Sequence, residues 1–127
     1  MNIRPEQMQQ AREQAEEDFI RRLMLYMRKT HSAAGPPVTD ETLRRMMVNG
    51  IKRARSHRIE TEAGIAGFIN LMFTIAANFD EHPAFKRALE DPSIPEKDRL
   101  RYLPTRVTQQ DHIEAAQNGN MLAWFAD

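Results

Sequence analysis

Asp80, Glu81 and His82 form the tightest cluster of ligand-type side chains in the chain. A metal site needs three or four ligands that converge on one point. Three successive residues in a turn do not converge, and no HExxH motif, HxH pair or twelve-residue calcium loop accompanies them. The expectation is therefore no metal, with Asp80 or Glu81 facing backbone amides as a helix cap ahead of Pro83. The four histidines, His31, His57, His82 and His112, have no serine nucleophile and acid at motif spacing. Glu16 and Glu17 read as solvated charge on a helix face. No phosphate-binding glycine loop is present. With no cysteine, a disulfide framework, a thiolate metal site and a cysteine nucleophile are excluded. The residues thus point to no catalytic group, no cofactor and no enzyme.

Lys52, Arg53, Arg55, His57 and Arg58 make up the densest basic cluster. A surface patch of this kind can face phosphates. At the end of a helix it also complements the negative end of the helix dipole, and this second use is favoured. No helix-turn-helix signature or interleaved aromatics support the first. Lys+Arg and Asp+Glu are 18 each, a formal net charge of +0, which argues against a polyanion partner. The balance hides an asymmetry: residues 1–60 hold 12 basic and 8 acidic side chains, a net of +4, and the remainder nets −4. The two halves could attract each other or two different partners.

The scaffold for these residues reads as all-α. At 127 residues and 14.7 kDa the chain fits one domain with a modest core. Its 41% hydrophobic and 28% charged content is ordinary for a globular protein. Pro5 suits a first helical turn, and Met8, Ala11, Ala15, Phe19, Leu23 and Met27 recur at helical spacing. The first helix is expected over about 5–30. A loop follows through Gly35-Pro36-Pro37. Thr39 caps a second helix over about 40–56, with Leu43, Met47 and Ile51 as its stripe. Gly50 within it calls for a close helix crossing. Thr61 caps a third helix over about 62–78, apolar on most sides and so central to the core. Gly64 and Gly67 would admit a neighbouring helix. Two or three short helices follow: Pro83 to about Glu90, Ser93-capped Ile94 to Leu103 stopped by Pro104, and Thr108-capped Gln109 to about Asn118. The result is a compact bundle over 1–118 and an apolar tail over 119–127. The most apolar stretch, Ala63 to Ala77, is about 15 residues, short of the ~20 that span a bilayer. With no signal-type leader at Met1, the expected location is the cytoplasm, without membrane insertion.

Interface-type residues stand out more than catalytic ones. Trp124 and Phe125 are anchors of the kind that dominate interfaces, and Met24, Met27 and Met46 offer adaptable apolar surface. These five are the candidate partner-binding residues. Packing in the chain's own core is the competing use for each. A second copy of the chain is a further candidate partner.

Three segments together carry a resemblance. They are Ile3-Arg4-Pro5-Glu6-Gln7-Met8 leading to Phe19-Ile20-Arg21-Arg22-Leu23; Gly50-Ile51-Lys52-Arg53-Ala54 followed by Ile59-Glu60-Thr61-Glu62; and Leu71-Met72-Phe73 leading to Asn78-Phe79-Asp80-Glu81-His82-Pro83. The chain resembles a family of short, functionally uncharacterised helical bacterial proteins encoded beside type VI secretion PAAR-repeat spike-tip proteins and their effectors. The family pattern has glycine where Arg58 stands and aspartate where Asn78 stands. The resemblance implies a non-enzymatic chaperone or adaptor that holds a spike or effector protein. An immunity protein that blocks an effector is the alternative, and a small nucleic-acid-binding regulator a further one.

Overall fold

The computed structural model describes residues 4–31 and 38–126. Among them are seven α-helices, two short 3-10 turns and no strand. The chain divides into two compact units, Met1–Arg44 and Arg45–Asp127. The expected Gly35-Pro36-Pro37 loop, Ile3 and Asp127 lie outside the described residues.

The first unit is built on α1 (Pro5–Thr30). Pro5 opens it, and the Gln7 side chain accepts the Arg4 backbone N–H at 3.1 Å. Phe19, Ile20, Leu23 and Met27 are buried. The expected apolar stripe does not begin at Met8: residues 5–15 are all exposed. Met8 stands in solvent, and Ala11 and Ala15 carry little apolar area, so the buried stripe starts only at Phe19. At the other end Arg28 donates to the Val38 carbonyl at 2.9 Å and pairs with Asp40 at 2.6 Å. Arg44 pairs with Glu17. Thr39 caps the start of α2 (Asp40–Ser56) by accepting the Thr42 N–H at 3.1 Å.

In the second unit, α2 ends in a Schellman turn. The Ile59 N–H reaches the Ala54 carbonyl at 3.2 Å and the Arg58 N–H reaches the Arg55 carbonyl at 2.9 Å. Arg58 holds the left-handed position, φ 63°, without being glycine. Ile59 and Ala54 are both fully buried, the apolar contact that favours this turn. Gly50 has the close neighbour its place in a helix demands: a Cβ there would lie 2.8 Å from Ile69 Cγ1.

Thr61 caps α3 (Glu62–Thr74) by accepting the Gly64 N–H at 3.1 Å. The helix stops at Thr74, four residues short of the expected Asn78. Asn78 is used elsewhere: its amide donates to the Asn118 carbonyl at 3.1 Å and its oxygen accepts the Asn120 N–H at 2.8 Å. Leaving the helix early lets a 3-10 turn, Phe79–Glu81, bury Phe79 and Asp80. The neighbour admitted by Gly64 and Gly67 is the segment of Glu96 and Leu100, whose side chains come within 2.7 and 3.2 Å of where a Cβ would stand.

After α4 (Pro83–Glu90), the single helix expected over 94–103 is replaced by two one-turn helices, α5 (Glu96–Arg99) and α6 (Leu103–Arg106). Pro95 disfavours a helical Ile94, and Ser93 bonds back to Asp91 at 2.9 Å instead of capping. Pro104 starts α6 rather than ending a helix. Glu96 caps α3 from outside, accepting from Glu60 N–H, Thr61 N–H and the Thr61 hydroxyl at 3.1, 3.1 and 2.8 Å. Thr108 and Asp111 close a reciprocal capping box on α7 (Gln109–Gln117). The tail forms a second 3-10 turn, Met121–Trp124.

Candidate functional site

The basic cluster at the end of α2 is split by the fold. Lys52, Arg55 and Arg58 are exposed, Arg53 is half-buried and His57 is buried. His57 is the helix C-cap residue, and its ring is turned inward against Phe68, with ring centroids 5.7 Å apart. Its Nε2 lies 2.7 Å from Asp80 Oδ2 and its Nδ1 lies 2.7 Å from Glu90 Oε2. Arg53 donates from Nε to Asp80 Oδ1 at 2.9 Å and from Nη2 to Glu81 at 3.1 Å. Part of the charge asymmetry between the chain's halves is thus satisfied inside one unit.

Two carboxylates need two donors, so this geometry calls for the imidazolium. Burial is the largest single influence on His57 and favours the neutral ring. The hydrogen bonds to Asp80 and Glu90, with the charges of the two acids, outweigh it and raise the pKa above the ordinary histidine value of 6.5. Both ring nitrogens are occupied, leaving none to accept a proton from a substrate.

Asp80, Glu81 and His82 do not converge on one point: Asp80 and Glu81 both reach Arg53, and His82 turns to Glu114. The cap ahead of Pro83 is His82, not Asp80 or Glu81. Its Nδ1 accepts the Ala84 N–H at 3.2 Å, and its Nε2 lies 2.8 Å from Glu114 Oε2. His82, Asp111 and Glu114 bring three ligand-type atoms within 4.8 Å of one another. Two caps and one hydrogen bond account for this proximity: His82 caps α4, Asp111 caps α7, and Glu114 pairs with the His82 ring. With Nδ1 accepting, Nε2 carries the proton and donates it to Glu114. A metal on Nε2 would move that proton to Nδ1 and break the cap of α4. Asp111 already accepts the Thr108 N–H at 2.8 Å. Those Thr108 bonds, backbone first, hold its carboxyl below the usual range against a smaller opposing effect of burial. A run of tilted and edge-to-face ring contacts joins the two histidines through the core: Phe68 to Phe79 at 5.0 Å, Phe79 to Phe85 at 5.6 Å, and Phe85 to His82 at 5.8 Å.

Of the five candidate partner-binding residues, Met27, Met46 and Trp124 are buried, and Met24 and Phe125 are half-buried. Trp124 packs on Phe73 with centroids 4.7 Å apart, and its carbonyl accepts from the buried Asn49 amide at 2.8 Å. The Arg45 guanidinium lies 5.1 Å from the Phe125 ring centroid. The tail therefore folds back on its own unit.

The large apolar side chains left in solvent are others. Met121 and Leu122 are 74% and 72% exposed, and Leu25 is 71% exposed. Leu25 lies on the face of α1 opposite the buried stripe, an off-phase position that helical spacing makes visible. Met121 and Leu122 carry no such signal, because the 3-10 turn that buries Ala123 and Trp124 decides which side they face.

Among the described residues no helix is long and apolar enough to cross a membrane. In comparisons with known proteins, no family model, no curated protein and no solved structure matches the chain.

Proposed function

We propose that the chain is a non-enzymatic protein-binding accessory of chaperone or adaptor type, acting on a type VI secretion spike or effector protein. It masks an apolar segment of that client until loading. The observation that carries this reading is the adjacent pair Met121 and Leu122, standing in solvent on a turn pinned by buried Trp124. Exposed apolar pairs on a rigid support suit docking to an apolar surface. The side chains able to do chemistry support the same reading, since His57, Asp80 and His82 are engaged in capping and ion pairing. The secretion context rests on the sequence resemblance alone.

Co-expression with the adjacent spike and effector proteins tests this. The client should co-purify with the chain and lose solubility when the chain is omitted. Met121→Glu with Leu122→Glu should abolish both effects. Absence of co-purification with unchanged client solubility would overturn the proposal. Protection of recipient cells from the effector's toxicity would replace it with an immunity function.

A further inference from the structure

Three elements meet at His57. The end of α2 carries the ring, the Phe79–Glu81 turn supplies Asp80, and the last residue of α4 supplies Glu90. α2 adds Arg53, which reaches Asp80; the turn adds Glu81, which pairs with Arg53; α4 adds Glu90. α3 presents the uncharged Phe68 ring. The groups named hold two cations and three carboxylates when His57 is charged, and their charge imbalance grows when His57 loses a proton.

We propose that His57 is a pH-sensitive latch: as the imidazolium it ties α2 to both the Phe79–Glu81 turn and the end of α4, and on losing its Nδ1 proton it releases Glu90. The two acids differ in a way that decides which bond opens. The Asp80 side chain is 5% exposed and is also held by Arg53, whereas that of Glu90 is 40% exposed. Water can rehydrate Glu90 but not Asp80, so Nε2 keeps its hydrogen and Nδ1 gives its proton to solvent. The bare Nδ1 lone pair then faces a carboxylate oxygen at 2.7 Å, and Glu90 swings outward. Glu90 also lines a shallow groove of about 630 Å³ with Lys86, Arg87 and Arg106, so its release reshapes that rim.

The folded chain binds the His57 proton more tightly than the unfolded chain does. His57 titrates above 6.5 in the folded chain because its two acid partners outweigh the opposing burial. The latch's stabilisation is complete below about 6.5 and is lost as pH rises through the higher folded value.

The test is an NMR titration of the His57 ring in the full chain, with amide-exchange protection factors followed between about pH 6 and 9. Both ring nitrogens should carry protons at pH 6, and the midpoint should lie above 6.5. Protection at Ala88, Leu89 and Glu90 should fall by about tenfold or more across that midpoint, while Phe68 to Met72 hold theirs. Glu90→Gln keeps an acceptor and removes the charge at a half-exposed position, so it leaves the core intact. It should lower the His57 midpoint and move the loss of α4 protection with it. A wild-type midpoint at or below 6.5, or α4 protection that ignores the His57 titration, would overturn the latch.

Discussion

Asn78 is the residue whose replacement tests the packing argument most sharply. It clamps the end of α7 and the tail with one bond donated and one accepted, 3.1 Å to the Asn118 carbonyl and 2.8 Å from the Asn120 N–H. Asn78→Asp changes shape hardly at all. It keeps the acceptor, deletes the donor and sets a negative oxygen against a carbonyl. The lost bond is worth about 1 kcal/mol, and the repulsion adds about as much again. A stronger, charge-assisted bond from Asn120 returns part of this. The net loss should be about 1–1.5 kcal/mol near neutral pH, a drop of about 4–8 °C in melting temperature. Acid supplies a second handle. A carboxyl facing a carbonyl is favoured in its protonated form, which restores the donor, so the folded-state pKa of the new aspartate is raised above ~3.9. The deficit relative to wild type is then complete above that raised value and shrinks as pH falls through it. Urea unfolding of both proteins at about pH 7 and 4 measures this difference. A variant as stable as wild type near neutrality, or a deficit that does not shrink in acid, would refute the clamp.

Arg58→Gly should stabilise the second unit by about 1 kcal/mol, because the left-handed position at φ 63° costs an L side chain roughly that much; denaturant unfolding reads it. Gly50→Ala gains ~1 kcal/mol of helix propensity but forces a Cβ to 2.8 Å from the stiff Ile69 side chain, so a net loss of about 1 kcal/mol is expected in the same assay. Stability should also fall on the acid side. Glu96 is held low by its Thr61 and Glu60 hydrogen bonds, which outweigh the larger single effect of burial, and Asp91 by its bonds from Ser93. Both lie lower folded than unfolded, so their stabilisation is present above the unfolded values of 4.5 and 3.8 and is lost as pH falls through the folded ones. A melting curve flat between about pH 5 and 2 would contradict that assignment.

Local signals served the long helices well. Pro5 marks the start of α1, and Thr39 and Thr61 are the caps of α2 and α3, because caps and helical periods act over three or four residues. The end of α3 escapes such reading, since it is decided by bonds from Asn78 to residues about forty positions away. Pro95 is different: it is a local signal against a helix through Ile94, and it outranks Ser93 as a cap. The His57 network divides the same way. The dipole argument places basic residues at the end of α2, but Asp80 and Glu90 lie 23 and 33 positions from His57. Only the packed turn and α4 bring them together.

On the proposed function, binding resides in the exposed Met121–Leu122 turn, while the titratable clusters hold the fold together. Isothermal calorimetry of the purified chain against its co-expressed client tests it most directly, with wild type beside Met121→Glu/Leu122→Glu. The Kd should weaken by about a hundredfold, the loss of two apolar contacts, at an unchanged melting temperature. An unchanged Kd in the folded double variant would contradict it.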